Sequence, residues 1–202
     1  MKVVCFDLGG VLVRITLNVA EAARRSGVRH FSAAPGLSFQ DLPFFLQFQA
    51  GILNEAAYLQ ELAKFGESTI EEAKSVHYHI LIEPFEGTLE LIQDLRSRGV
   101  RTACLSNTNA LHWQEMLHSG RFPNVASLNA HVASNELKLE KPDQHFYRAF
   151  ESLLLVEPEG ITFFDDGPAN VEAARACGWH AEQIDPEADP TTQMRHHLRH
   201  LL

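Results

Sequence analysis

Three short apolar runs in this chain each stop abruptly at polar residues: KVVCFDL (2–8), VRTACLSN (100–107) and ITFFDD (161–166). They are apolar on both faces of an extended chain, as strands of a parallel sheet covered by helices are. LNAHVAS (128–134) and HAEQI (180–184) read as two weaker strands. Helical periodicity fills the gaps. GTLELIQDLRSRG (87–99) sets Leu89, Leu91, Ile92 and Leu95 on one side, with arginines in the last turn and Gly99 as the stop. PDQHFYRAFESLLL (142–155) opens on Pro142, a residue suited to the first helical position. PANVEAARACG (168–178) ends at Gly178. This alternation predicts an α/β fold with a doubly wound, Rossmann-like parallel sheet.

One segment breaks the rhythm. Residues 15–85 show helical patterns and no convincing strand, with breaks at PG (35–36), Gly51 and Gly66 and caps at Asn54 and at Ser68 or Thr69. The pattern predicts a small inserted helical cap over 15–85, and an α/β core made of 1–14 and 86–202.

Composition narrows the function. A chain of 202 residues, 45% hydrophobic and 21% charged, can bury a proper core. No apolar run reaches the roughly 18–20 residues that span a bilayer, so no membrane partner is expected. The first run is interrupted by Asp7 and lacks a small-residue cleavage site, unlike a secretory signal. Cys5, Cys104 and Cys177 are odd in number and widely spaced, which implies neither disulfides nor a zinc framework; a reducing, cytoplasmic setting is expected. A formal charge of −9 argues against nucleic acid as a partner. An anionic substrate would need a local set of donors. His196, His197 and His200 could bind metal but read as a solvated helix end.

In an open parallel sheet, ligands bind beyond the carboxyl ends of the strands. Polar residues gather at three such ends: Asp7, then Ser106 with Asn107, then Asp165 with Asp166. Lys141 precedes a helix whose incoming loop returns to the same edge. Each could be a helix cap or a surface residue when taken singly; in this order and spacing they make a constellation. FDLGGV (6–11), LSN (105–107), KP (141–142) and FFDD (163–166) together resemble the four motifs of the haloacid dehalogenase superfamily, in its helical-cap subgroup. LSNTNALH (105–112) and FFDDGPAN (163–170) are most similar to a bacterial branch of sugar-phosphate phosphatases related to α-glucose-1-phosphatase.

The resemblance implies a phosphatase acting on a small phosphate ester, as a monomer or homodimer. Asp7 would be the nucleophile that forms an aspartyl-phosphate. Mg²⁺ would sit on the Asp7 carboxylate, the Gly9 carbonyl and Asp166, with Asp165 holding a metal-bound water or orienting Lys141. Lys141, Ser106 and the backbone N–H groups of Asn107 and Gly10 would bind phosphoryl oxygens.

Gly9 stands where most phosphatases of the superfamily carry a general-acid Asp. Positioned acid–base help is worth about 10²–10⁴ in rate, so its loss favours leaving groups that depart as anions, such as anomeric sugar phosphates, acyl phosphates or aryl phosphates. A held water or His112 could instead replace the acid, or the domain could bind phosphate with weak turnover. A hydrolytic dehalogenase is a further alternative. His112 itself reads first as a helix-surface residue and Asn170 as a support for the Asp165–Asp166 loop. Phe44, Phe45 and Phe48 read as cap core, and Gln47 or Gln49 is available for substrate hydroxyls.

Overall fold

The computed structural model describes residues 2–202. Five strands form one parallel sheet: β1 (Val3–Phe6), β4 (Arg101–Ser106), β5 (Ala130–Ala133), β6 (Ile161–Asp165) and β7 (His180–Gln183), ordered β5-β4-β1-β6-β7. β1 is central, paired with β4 on one side and β6 on the other. The chain first winds outward through β4 and β5, then returns to β6 and winds the other way. The direction therefore reverses at β1, and the crevice beyond its carboxyl end is where such sheets bind ligands.

Alternate residues feed two cores. Val4, Phe6, Cys104 and Phe164 face α5 (Thr88–Ser97), α6 (Ala110–His118), α7 (Pro123–Ala126) and α11 (Pro190–Leu198). Val3, Cys5, Leu105 and Phe163 face α9 (Gln144–Leu154) and α10 (Pro168–Ala176) through Phe146, Phe150 and Val171. α9 begins at Gln144 under an Asp143 cap, two residues later than the expected start at Pro142. The short α8 (Ser134–Leu137) follows β5 directly.

A third apolar cluster belongs to α1 (Val19–Ser26), α2 (Pro43–Gln49), α3 (Glu55–Phe65) and α4 (Ile70–Tyr78). Asn54 and Thr69 cap α3 and α4, the latter in a reciprocal capping box with Glu72. Phe45, Phe48, Tyr58 and Leu62 are buried at its centre, each such side chain stabilising by roughly 1.5–3 kcal/mol. The unit is tethered by a two-stranded antiparallel ribbon of β2 (Val13–Ile15) and β3 (Leu81–Pro84). β3 corrects the strand-free reading of 15–85: its four residues pair with a partner far away in sequence, which local periodicity does not reveal. No helix among the described residues is long and apolar enough to cross a membrane.

Candidate active site

A cavity of ≈ 300 Å³ opens where the α1–α4 unit meets the carboxyl edge of the sheet. Asp7, Gly9, Ser106, Asn107, Lys141 and Asp166 all line it. Asp7 directly follows β1, Ser106 ends β4 and Asp165 ends β6, so three adjacent strands deliver their polar ends to one place.

Lys141 is the electrostatic hub. Its Nζ lies 2.9 Å from Asp7 Oδ1 and 2.6 Å from Asp165 Oδ2, with only 3% of the residue exposed. Burial alone would lower its pKa, but the two carboxylates outweigh burial and hold it above the ordinary lysine range. Asp165 is fully buried and spends both oxygens: Oδ2 on Lys141, and Oδ1 on the Gly167 N–H (2.8 Å) and Asn170 Nδ2 (2.9 Å). Its geometry is that of an orienter of Lys141. Asn170 supports that loop as expected and also reaches the cavity wall.

Asp7 Oδ1 accepts from the Leu8 N–H (2.7 Å) as well as facing Lys141, and no described hydrogen bond engages Oδ2. Burial pushes the Asp7 pKa up to about 7; Lys141 opposes this, and Asp165 and Asp166 reinforce it. Burial, followed by Asp165, likewise raises the pKa of Asp166. Asp7, Asp165 and Asp166 bring carboxylate oxygens within 4.8 Å of one another. Three clustered carboxylates against one ammonium leave uncompensated negative charge, and an all-oxygen donor set suits a hard divalent cation such as Mg²⁺.

Gly10 does something other than the expected phosphate binding. Its N–H donates to the Val13 carbonyl (3.0 Å), closing the turn after β1. At φ 78° it adopts a left-handed conformation, and a Cβ there would lie 2.5 Å from Asp166 Oδ2. Gly10 therefore makes room for Asp166. Asn107 uses its side chain on the backbone of Lys141, with Nδ2 donating to the Lys141 carbonyl and Oδ1 accepting from the Lys141 N–H, both at 2.8 Å.

The space beside Gly9 is filled by hydrocarbon. A Cβ on Gly9 would come within 2.8 Å of Ile15 Cδ1, and Ile15, Leu17, Phe45 and Ile80 continue an apolar wall. Phe45 thus serves both core and cavity, Phe48 is core alone, and Phe44 is partly buried against that core. Gln49 lines the cavity, whereas Gln47 is exposed and does not.

His112 departs from the surface reading: it is 6% exposed and stacked on His77 with ring centroids 4.1 Å apart. Its Nε2–H donates to the His77 carbonyl (3.0 Å), so its Nδ1 accepts from Asn109 Nδ2 (3.1 Å). Asn109 Oδ1 accepts from His77 Nε2–H (3.1 Å), and His77 Nδ1 accepts from the Tyr58 hydroxyl (2.7 Å). Burial lowers the His112 pKa to about 4. A neutral imidazole whose single N–H is already engaged has no proton for a leaving group, which removes His112 as the substitute acid. Asn109, one of two cap candidates in the sequence, caps α6 through the His112 N–H (3.0 Å), whereas His77 and Ile15 escaped the sequence reading because nothing local marks a residue that a distant segment will cover.

Residues 1–178 match the family model described as a haloacid dehalogenase-like hydrolase. The chain is 27% identical over 190 residues to the phosphorylated carbohydrates phosphatase of Thermotoga maritima, covering 88% of this chain and 82% of that protein. It is 25% identical over 184 residues to the validoxylamine A 7'-phosphate phosphatase of Streptomyces hygroscopicus, with 88% and 82% covered. Among solved structures, it superposes with a TM-score of 0.78 on a Bacteroides thetaiotaomicron enzyme in complex with magnesium and inorganic phosphate, at 20% identity over 96% of this chain and 100% of that one.

Proposed function

The chain belongs to the haloacid dehalogenase-like hydrolase family, and on that premise we propose that it is a Mg²⁺-dependent phosphatase of small phosphate esters with activated leaving groups, sugar phosphates foremost. The observation that carries this reading is the charge imbalance at the carboxyl end of β1. Asp7, Asp165 and Asp166 crowd together against Lys141 alone. A hydrolytic dehalogenase would share the Asp7 nucleophile but has no use for two more carboxylates beside it. The names of the relatives, phosphatases of phosphorylated carbohydrates and of a 7'-phosphate, support the same substrate class.

In this reading Asp7, Asp166 and the Gly9 carbonyl would hold the cation, whose positive charge would offset the repulsion between the Asp7 carboxylate and a phosphate ester. Asp165 is a less direct participant, since both its oxygens are engaged. The Asp7 carboxylate attacks phosphorus, the bond to the ester oxygen breaks, and the leaving group departs with the electron pair. Water then attacks phosphorus, releasing inorganic phosphate and restoring Asp7. Lys141 steadies phosphoryl oxygens and the Asp7 carboxylate, while Ser106 and the Asn107 N–H hold the remaining oxygens; catalysis is mostly positioning and charge stabilisation. The α1–α4 unit acts as a cap over 15–85, covering the site with hydrocarbon at Gly9, where no acid protonates the leaving group.

A panel of alkyl, aryl, acyl and anomeric sugar phosphates, assayed in Mg²⁺ and in EDTA beside Asp7→Asn, tests the proposal. Turnover should require Mg²⁺ and Asp7. Full activity in chelator, or persistence in Asp7→Asn, would overturn it.

A further inference from the structure

We infer that Gln49, on the helical cap, is a positioning residue that ties cap closure to the loop carrying the phosphoryl donors; the inference rests on the phosphatase reading of the same site. Gln49 ends α2 and reaches across the cavity, where its Nε2 donates to the Asn107 carbonyl (3.0 Å). Its own carbonyl accepts from Ser134 Oγ (3.3 Å). That hydroxyl accepts from the Thr108 N–H (3.0 Å) and also lies 3.0 Å from the Thr108 carbonyl. One cap residue therefore bonds the loop after β4 directly at Asn107, by its side chain, and meets Thr108 only through the Ser134 hydroxyl, whose single proton the Gln49 and Thr108 carbonyls share. Two residues on, Lys138 Nζ donates to the Gly51 carbonyl (2.7 Å) and pins the same cap segment to α8.

What Gln49 holds is the mechanical link between cap and nucleophile. Asn107 braces the Lys141 backbone from both sides with its amide, and Lys141 Nζ sits on Asp7 and Asp165. With the cap seated, the Asn107 carbonyl is fixed by Gln49 and cannot rotate its peptide away. That carbonyl shares its peptide with the Thr108 N–H, itself bound to Ser134 Oγ, and through the Asn107 Cα it steadies the Asn107 N–H, the donor of the phosphatase reading, and the amide that braces Lys141. Without Gln49 the peptide at Asn107 is held from the core side only. Preorganised donors are worth more than the same donors free to relax.

The alternative role for a cavity-lining glutamine is direct contact with the leaving group. Inorganic phosphate separates the two, because it has no leaving group. The test measures inorganic phosphate affinity in Mg²⁺ by calorimetry, together with kcat and KM for aryl and sugar phosphates. It compares wild type, Gln49→Met, Gln49→Glu and the neighbouring control Gln47→Met. Loss of one hydrogen bond that orders the loop predicts phosphate binding weakened about five- to tenfold in Gln49→Met. A comparable fall in kcat is expected on every ester, with a larger loss in Gln49→Glu, which sets an acceptor against the Asn107 carbonyl. Gln47→Met should match wild type, and the thermal midpoint of Gln49→Met should stay close to it. Unchanged phosphate affinity and kcat in Gln49→Met, with or without a higher KM for sugar phosphates, would overturn the inference. Wild type that binds phosphate but turns over no ester would overturn the phosphatase reading alone, and the variant affinities would still decide this one. Wild type that fails to bind phosphate overturns both.

Discussion

Placing a carboxylate at residue 9 tests the proposed preference for activated leaving groups. The backbone at Gly9 lies outside the left-handed region, so an L-residue can adopt it. Ile15 is the obstacle: a Cβ at residue 9 would sit 2.8 Å from its Cδ1, 3.6 Å from Cγ1 and 3.7 Å from Cγ2. The first distance is roughly 1 Å inside ordinary carbon–carbon contact. Gly9→Asp alone must turn the Ile15 Cδ1 methyl aside within the two apolar clusters that the half-buried side chain joins, and should lower stability modestly while gaining a less usable acid than the double variant. Adding Ile15→Ala removes Cδ1, the one crowding atom, together with Cγ1 and Cγ2, which are in ordinary contact. That change should cost about 1–3 kcal/mol, below the usual 2–5 for a fully buried site because Ile15 is only half-buried. The double variant should then gain at least tenfold in kcat/KM on alkyl phosphates, out of the ~10²–10⁴ that positioned acids supply, and little on aryl phosphates. The assay is a plot of log kcat/KM against leaving-group pKa, steep for wild type and flattened in the double variant. A single Gly9→Asp variant that flattens the plot as fully as the double one would refute the obstruction. A wild-type plot already flat would refute the preference for activated leaving groups.

Two further outcomes follow from buried charge. His112 has a folded pKa near 4 against an ordinary 6.5, so the unfolded chain takes up a proton that the folded one refuses as pH falls through that interval. The stability gap between wild type and His112→Gln should shift against wild type by ~2–3 kcal/mol between pH 7.5 and 4.5, at about 1.4 kcal/mol per pH unit; a pH-independent gap in urea unfolding would refute it, and the opposite titration of Asp7 cancels in the comparison. Lys141→Met leaves Asp7 and Asp165 buried without their cation and should cost ~3–5 kcal/mol near pH 8; a loss under about 1 kcal/mol by denaturant titration would remove Lys141 as the electrostatic hub.

The parts of the fold visible in the sequence are those whose cause is local. VVCF, ITFF and the run before Ser106 are apolar on both faces because helices cover both sides of the sheet, and no other environment suits them. Asp7, Ser106 and Asp165 were legible for the same reason: a strand buried on both faces takes a polar side chain only where a partner meets it, as Asn129 meets Thr102, and a carboxylate only where it leaves the sheet. Gly10 shows the limit. A glycine after a strand end suggests backbone donors for an anion, but whether its N–H is free depends on the chain folding back so that the Val13 carbonyl meets it. β3 was hidden because its pairing partner is Val13–Ile15, across the whole cap.

Beside the side-chain contacts of His77 with Asn109 and His112, the α1–α4 unit meets the core through backbone atoms that every residue possesses. Gln49 reads the carbonyl of Asn107, His112 that of His77, and Lys138 that of Gly51. A backbone carbonyl carries no signature in a sequence, so only one end of each contact could be guessed, and a lone Gln, His or Lys on a helix face is ordinarily solvated. The chemistry at the sheet edge behaves oppositely, since Asp7, Lys141 and Asp165 contact one another through ionisable side chains at both ends. Asp7 and its ion pairs therefore announce themselves in the order of motifs, while the contacts between α2 and the loop after β4 emerge only when two distant segments are laid together. On this physical ground the cap–loop contacts are where substitutions should lower turnover alike on every ester without removing any group of the charged cluster.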